Sequence, residues 1–257
     1  MNAREYEQEH VQQTSTLIQQ EIAFLDNQKK ETKSKFDTDM LENAGQKIQA
    51  GSFEALADTM AETRQHEQEL LVRYQTFASQ EKRQKVLKLM GQNPYFARID
   101  FKEDQEAETL YLGIASLRDT KEETIVIDWR APIANLYYEG TLGQTHYEAH
   151  DAIIPIELLL KRQFKIREGQ ILSMVDTSEA INDDFLLEIL DEASSNHMKN
   201  IVATIQRSQN EIIRDTRSKV LVVEGIAGSG KTSALLQRVA YLLYHNRKWL
   251  DNEQVLL

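Results

Sequence analysis

The chain has 257 residues, 41% of them hydrophobic, which is enough to bury a core and to build roughly one to three domains. A formal charge of -11 excludes nucleic-acid binding by the average field, so contact with a phosphate backbone would need a local basic groove. Lack of cysteine excludes disulfides, thiolate metal sites and cysteine nucleophiles and fits a reducing compartment, while the charged start and the lack of a membrane-length apolar run make the cytoplasm the expected location and leave membranes out of the expected partners.

Residues 1–93 are expected to form a helical arm. No proline occurs before residue 94, and glutamine, glutamate and lysine dominate, as long solvated helices tolerate. Val11, Ile18 and Leu25 recur every seven residues with Ile22 between them, and Leu56, Met60, Leu70, Tyr74 and Phe77 make a second stripe. Between the stripes Gly45 and Gly51 weaken the helix and Ser52 can cap a restart, which predicts an antiparallel hairpin. Arms of about forty residues at ~1.5 Å rise each would reach roughly 60 Å. Such a hairpin can serve as a probe, with a plain spacer or a dimerising coiled coil as the alternatives, because heptads do not reveal what a hairpin touches. Near the tip, Asp37, Asp39, Glu42, Glu54 and Asp58 fit a solvated helix end, and Lys82, Arg83, Lys85 and Lys88 near the base fit a solvated basic face.

Residues 94–178 change texture to short alternating or apolar runs at 95–101, 110–117, 124–129 and 158–166, read as strands of a small, mostly antiparallel β-region. Glu168, Gly169 and Gln170 read as a hairpin turn, with glycine supplying the positive φ. Pro132 and Pro155 are expected between strands or at their ends, where a missing N–H does least harm. Asp128, Trp129 and Arg130 suggest an ion pair with the tryptophan stacked on it, a structural tie rather than a reactive site. His146 and His150 sit in a strand-rich setting that does not bring them to one face, so a metal there is not expected.

Residues 179–257 turn helical again, with Asn182 as a cap, Phe185, Ile189 and Leu190 as a buried stripe, and a second helix from Met198 to about Arg214. The β-branched run 219–223 is suited to a buried parallel strand. Directly after it come Gly225, Ile226, Ala227, Gly228, Ser229, Gly230, Lys231 and Thr232, which satisfy the phosphate-loop pattern GxxxxGK[ST]. Glycines let the backbone close around phosphate oxygens with successive N–H groups pointing inward, Lys231 supplies positive charge near the β- and γ-phosphates, and Thr232 offers a hydroxyl to Mg²⁺. The helix that follows, with Leu235, Leu236, Val239, Leu242 and Leu243 expected on its apolar side, aims its positive end at the nucleotide, and Ser233 belongs to its first turn. Upstream, Gln209 carries both an amide donor and an acceptor and can pair with adenine N6 and N7, which would favour ATP over GTP.

These residues carry a resemblance. Thr204-Ile205-Gln206-Arg207-Ser208-Gln209-Asn210, residues 225–232 and Arg238-Val239-Ala240-Tyr241-Leu242-Leu243-Tyr244 resemble the first motor domain of the superfamily 1 UvrD-like helicases. Tyr95-Phe96-Ala97-Arg98-Ile99-Asp100-Phe101, Asp128-Trp129-Arg130-Ala131-Pro132-Ile133 and Leu136-Tyr137-Tyr138-Glu139-Gly140 resemble the HelD family of helicase-like motors that recycle bacterial RNA polymerase. The resemblance implies a multidomain α+β protein: a helical hairpin, a β-rich middle and the beginning of a P-loop, RecA-like motor domain. It implies ATP and Mg²⁺ as cofactors, RNA polymerase as the partner gripped by the hairpin, and DNA as a further candidate partner. Carried over by position, Gln209 matches the adenine contact, Gly228, Gly230, Lys231 and Thr232 match the phosphate and Mg²⁺ contacts, and Lys231 and Thr232 are the expected catalytic residues. The family's metal-holding acidic pair has no counterpart in residues 233–257, so this chain is expected to be an incomplete motor that binds ATP without appreciable turnover. A non-enzymatic, channel-binding factor and an unrelated P-loop kinase are the rival readings.

Overall fold

The structure, a computed structural model, describes residues 2–43, 53–104, 106–149, 152–177, 205, 207–226, 229–250 and 254–255. The expected turn at Gly45, Gly51 and Ser52, the acidic side chains near the tip, the helix after Asn182 and His150 lie outside the described residues. The chain divides into two units, residues 12–92 and residues 1–11 with 93–257.

In the first unit, helix α1 (Ala3–Asn43) and helix α2 (Phe53–Gln92) run antiparallel, since partners rise in number on one helix as they fall on the other. Ile18, Leu25, Leu87 and Met90 are buried, as the seven-residue spacing on α1 requires. Polar ties flank this seam: Arg83 donates to both carboxylate oxygens of Glu21 at 2.7 and 3.0 Å, and Gln80 donates to Gln28 at 3.0 Å. Gln84 is buried with both ends used, donating to Asp26 at 2.5 Å and accepting from Lys29 at 3.2 Å. Two expectations change here. Tyr74 is 70% exposed, because the contact face of α2 runs through Gln80, Gln84 and Leu87. Arg83 is committed to Glu21 rather than forming an open basic face with its neighbours.

The second unit is built on one seven-stranded sheet in the order β3-β4-β2-β1-β6-β5, with β7 also pairing β6. The strands are β1 (Ala97–Glu103), β2 (Glu106–Gly113), β3 (Leu117–Arg118), β4 (Thr124–Asp128), β5 (Gly143–Ala149), β6 (Ala152–Arg167) and β7 (Gln170–Asp176). All pairings are antiparallel except β2 with β4. The turn between β6 and β7 has positive φ at both Glu168 and Gly169, the signature of a two-residue hairpin turn. Pro155 lies inside β6 rather than at its end. It is tolerated because β1 joins β6 only from Glu157 onward, leaving β6 with a neighbour on one side at that point.

Register places Ala97, Ile99 and Phe101 on one face with Leu110, Leu112, Leu158, Lys161 and Gln163. That face packs under a 3₁₀ turn (Pro132–Ala134), helix α3 (Asn135–Tyr138), helix α4 (Arg207–Arg214) and helix α5 (Lys231–His245), through Ala134, Leu136, Tyr137, Tyr138, Ile205, Ile213 and Tyr241. The Lys161 ammonium is buried there and donates to the Gly140 carbonyl at 2.9 Å; loss of hydration lowers its pKa to about 8.

The opposite face presents Arg98, Tyr111 and Arg162 to the first turns of α1. Arg4, Glu7, Gln8 and Val11 stand three and four residues apart and so share one side of that helix. Glu7 is fully buried and accepts from Arg98 at 2.7 Å, Arg162 at 2.8 Å and the Tyr111 hydroxyl at 2.9 Å. The far sides of the two guanidiniums bind Asp100 and Asp176, so five charges alternate in sign across the sheet. Gln8 donates to the Gly169 carbonyl at 2.7 Å and accepts from Ile171 N–H at 2.9 Å, and Arg4 donates to the Ile171 carbonyl at 2.8 Å. His10 stacks on Tyr111 with ring centres 3.8 Å apart and its Nδ1 lies 3.0 Å from the Tyr95 hydroxyl.

Burial lowers the pKa of His10 from 6.5 to about 4, against the opposing pull of Glu7, so the folded protein holds the ring neutral. The unfolded chain takes up a proton near 6.5 that the folded chain refuses until about 4, so this contribution to stability falls as pH drops through that window. Urea unfolding followed by the fluorescence of buried Trp129 is expected to lose about 1–2 kcal/mol from pH 7 to pH 5 through this residue. His10→Phe should flatten the slope, and an unchanged slope in that variant would refute the assignment.

Candidate functional site

Helices α4 and α5 carry the candidate site, and the sheet fixes both. Arg214, at the end of α4, donates to the carbonyls of Trp129 at 2.6 Å and Ala131 at 3.3 Å, and its Nε donates to Asn210 Oδ1 at 3.0 Å. The guanidinium lies 5.8 Å from the Tyr138 ring centre and 5.1 Å from that of Tyr241. A largely desolvated cation is tolerated in such a place because its donors are met and aromatic faces supply negative potential. Arg238 of α5 donates to the Ile212 carbonyl at 2.6 Å, which ties the two helices together.

Asp128, Trp129 and Arg130 are part of the same joint. Arg130 forks onto Asp128 at 2.8 and 2.6 Å, and its own N–H donates to Asp128 at 2.9 Å. The aromatic partner of Arg130 is Tyr244 of α5, with its ring centre 4.8 Å away, where the sequence suggested Trp129. Trp129 is instead buried in the core and offers its carbonyl to Arg214 from the turn after β4.

Helix α5 starts at Lys231, and its N-cap, Gly230, has φ 77° and ψ 14°, a left-handed conformation that glycine adopts without strain. A Cβ at Gly230 would stand 2.8 Å from Gln209 Nε2, so a side chain there would push the Gln209 amide aside. At Gly225 a Cβ would stand 2.8 Å from Ser229 Oγ, showing how tightly the loop closes on itself. The Lys231 ammonium turns back onto the carbonyls of Gly225 and Ile226, 2.7 Å from each, and lies 3.5 Å from Ser229 Oγ. Gln209 donates to the Ser229 carbonyl at 3.4 Å. Gln209, Gly225, Ile226, Ser229, Gly230 and Lys231 therefore come together, with Thr232 and Ser233 in the first turn of α5; Ala227 and Gly228 lie outside the described residues. The ammonium and the N–H groups of the opening turn of α5 concentrate positive potential at this bend.

Two expectations around the loop are corrected. Residues 219–223 form no strand, and Val220 and Val222 are 82% and 75% exposed. A strand exists through bonds to a neighbour, and none of the described strands lies beside this run. On α5 the buried side is Ala234, Gln237, Arg238 and Tyr241, whereas Leu235 and Leu236 are exposed and Val239, Leu242 and Leu243 are half-buried. The sheet and α4 take the side on which Arg238 and Tyr241 find polar and cationic partners, a choice invisible to hydrophobic spacing.

The sequence reading passed over Asn210, Asn135, Glu139 and Arg214 as individuals. The available signal was an asparagine and an arginine four residues apart on the same helix face as Ile213, polar groups where an amphipathic helix should be apolar. Among the described residues no group of acids and histidines is arranged to hold a metal, and no helix is long and apolar enough to cross a membrane.

Residues 4–188 match the family model described as DNA helicase IV HelD, N-terminal domain. The match spans both long helices and the whole sheet and ends before α4 and the loop. No curated protein matches the chain.

Proposed function

The chain belongs to the HelD family by its N-terminal domain, and from that premise we propose that it is the N-terminal part of an ATP-dependent, helicase-like motor that binds RNA polymerase and uses ATP to release it from nucleic acid. The observation that carries the nucleotide half of this reading is the bend at Gly230, with Lys231 folded over the carbonyls of Gly225 and Ile226. The residues fit a phosphate chain: glycine takes the left-handed conformation at the bend, and a lysine lies within the loop whose backbone would wrap the phosphates. Lys231 would exchange its two carbonyl acceptors for phosphate oxygens, and the opening N–H groups of α5 would donate to the same group. Thr232 would hold Mg²⁺, whose charge would offset that of the phosphates. Gln209, already on the loop through Ser229, would present its amide to the adenine edge.

Hydrolysis calls for a carboxylate that orients water, and none of the residues assigned to this site has that role, so the proposal for this chain is nucleotide binding. The two-helix arm supports the polymerase half. Its seam is sealed by Ile18, Leu25, Leu87 and Met90 and by side-chain ties along its flank, while Phe24, Leu71, Val72 and Tyr74 remain exposed as apolar contact points.

Calorimetric titration with MgATP is expected to give a saturable heat that Lys231→Ala abolishes, and an undiminished isotherm in that variant would remove the loop from the account. Immobilised bacterial RNA polymerase should retain the intact chain and release most of it when residues 30–79 are replaced by a short glycine-serine link. Equal retention of the two would exclude the arm as the gripping element.

A further inference from the structure

Gln209 and Asn210 are neighbours on α4, so their side chains leave the helix about 100° apart. Gln209 reaches the loop, while Asn210 points into the protein and is fully buried. The Asn210 amide donates to Asn135 Oδ1 at 2.7 Å and to Glu139 Oε1 at 2.5 Å, and its oxygen accepts from Arg214 at 3.0 Å. Asn135 donates in turn to the other Glu139 oxygen at 3.1 Å, which closes the cluster. Asn135 opens α3 and Glu139 is its C-cap, so both acceptors sit at the element that packs on the sheet.

We propose that Asn210 is a positioning residue for base selectivity: by locking the rotation of α4 against Asn135 and Glu139, it holds the Gln209 amide at the edge of the loop. The inference rests on the reading of residues 225–233 as a nucleotide site and adds to it the part of the β-rich region that tunes the site. The physical ground is directionality. Apolar burial is indifferent to a small roll of a helix, whereas hydrogen bonds weaken steeply once donor and acceptor lose alignment. Ile213 and Ile205 can keep α4 against the sheet through a range of rolls, but only one roll satisfies both Asn210 hydrogens and its oxygen together. At that setting Gln209 Nε2 is 3.4 Å from the Ser229 carbonyl and meets Gly230 so closely that a methyl group there would collide. A roll of even a fraction of the 100° step would swing the Gln209 amide away by ångströms, whereas Lys231 and the α5 N–H groups, whose helix is held independently by Tyr244 on Arg130 and by Tyr241 in the core, would shift far less.

The prediction is therefore a split between base recognition and phosphate recognition. Competition binding of ATP, GTP and tripolyphosphate would be measured on the full chain and on Asn210→Leu, Glu139→Ala and Gln209→Ala. The unaltered chain is expected to prefer ATP, and Gln209→Ala to erase that preference. Asn210→Leu is expected to reduce the ATP-to-GTP ratio about tenfold, the worth of a lost directional contact, while tripolyphosphate affinity changes less than about twofold. Circular dichroism and urea titration show whether Asn210→Leu folds. If it does not, Glu139→Ala, which removes one acceptor and leaves Asn135 in place, carries the comparison with a smaller expected drop in the same ratio. A wild-type ratio in the folded variant, or equal weakening of all three ligands, overturns the positioning role while Gln209→Ala still confirms base reading. Absence of any ATP preference, or its survival in Gln209→Ala, overturns the base reading itself and this inference with it.

Discussion

Arg214 is a cation drawn out of water, and the position of everything beyond the sheet depends on how its donors are met. Two go to the carbonyls of Trp129 and Ala131, one goes to Asn210, and the rings of Tyr138 and Tyr241 enclose the rest. Leaving such a group unpaired costs several kcal/mol, so α4 is held where those acceptors are. Through Arg238 and Arg130 the same joint fixes α5, and with α5 the bend at Gly230. The bend is thus placed by satisfied charges together with the apolar contacts of Ile213 and Tyr241.

The sheet shows the same economy on its other face. Glu7 lies between Arg98 and Arg162 with Asp100 and Asp176 beyond them, and removing the central carboxylate would leave two poorly hydrated guanidiniums facing each other. The first three turns of α1 are thus part of the sheet unit, although the helix continues into the arm. Gln8 finishes the β6–β7 hairpin by bonding to the backbone of its turn and of β7 just after it, so the sequence-distant start of the chain is a structural member of the sheet.

Much of this was legible in advance, and the gaps have physical causes. Seven-residue spacing located the arm, glycine at a turn located the β6–β7 hairpin, and the GxxxxGK[ST] string located the bend at Gly230, whose positive φ suits glycine. The missed features are polar. Glu7, Asn210 and Arg214 occupy core positions because partners from far along the chain meet them, and no local pattern announces a partner 155 residues away, as Arg162 is from Glu7. Strand β5 was missed because its alternation of Gln144, Thr145, His146 and Tyr147 is mostly polar, and the 219–223 run was overcalled because β-branched composition states a preference while pairing decides the outcome.

The HelD family assignment rests on the arm and the sheet, whereas the nucleotide proposal rests on α4, α5 and the loop, which lie beyond the matched span. The measurement that bears most directly on both together is amide hydrogen exchange of the full chain with and without saturating MgATP. The account predicts slowed exchange across residues 225–233 and in α4, with the sheet unchanged. Identical exchange in the loop under both conditions would contradict it.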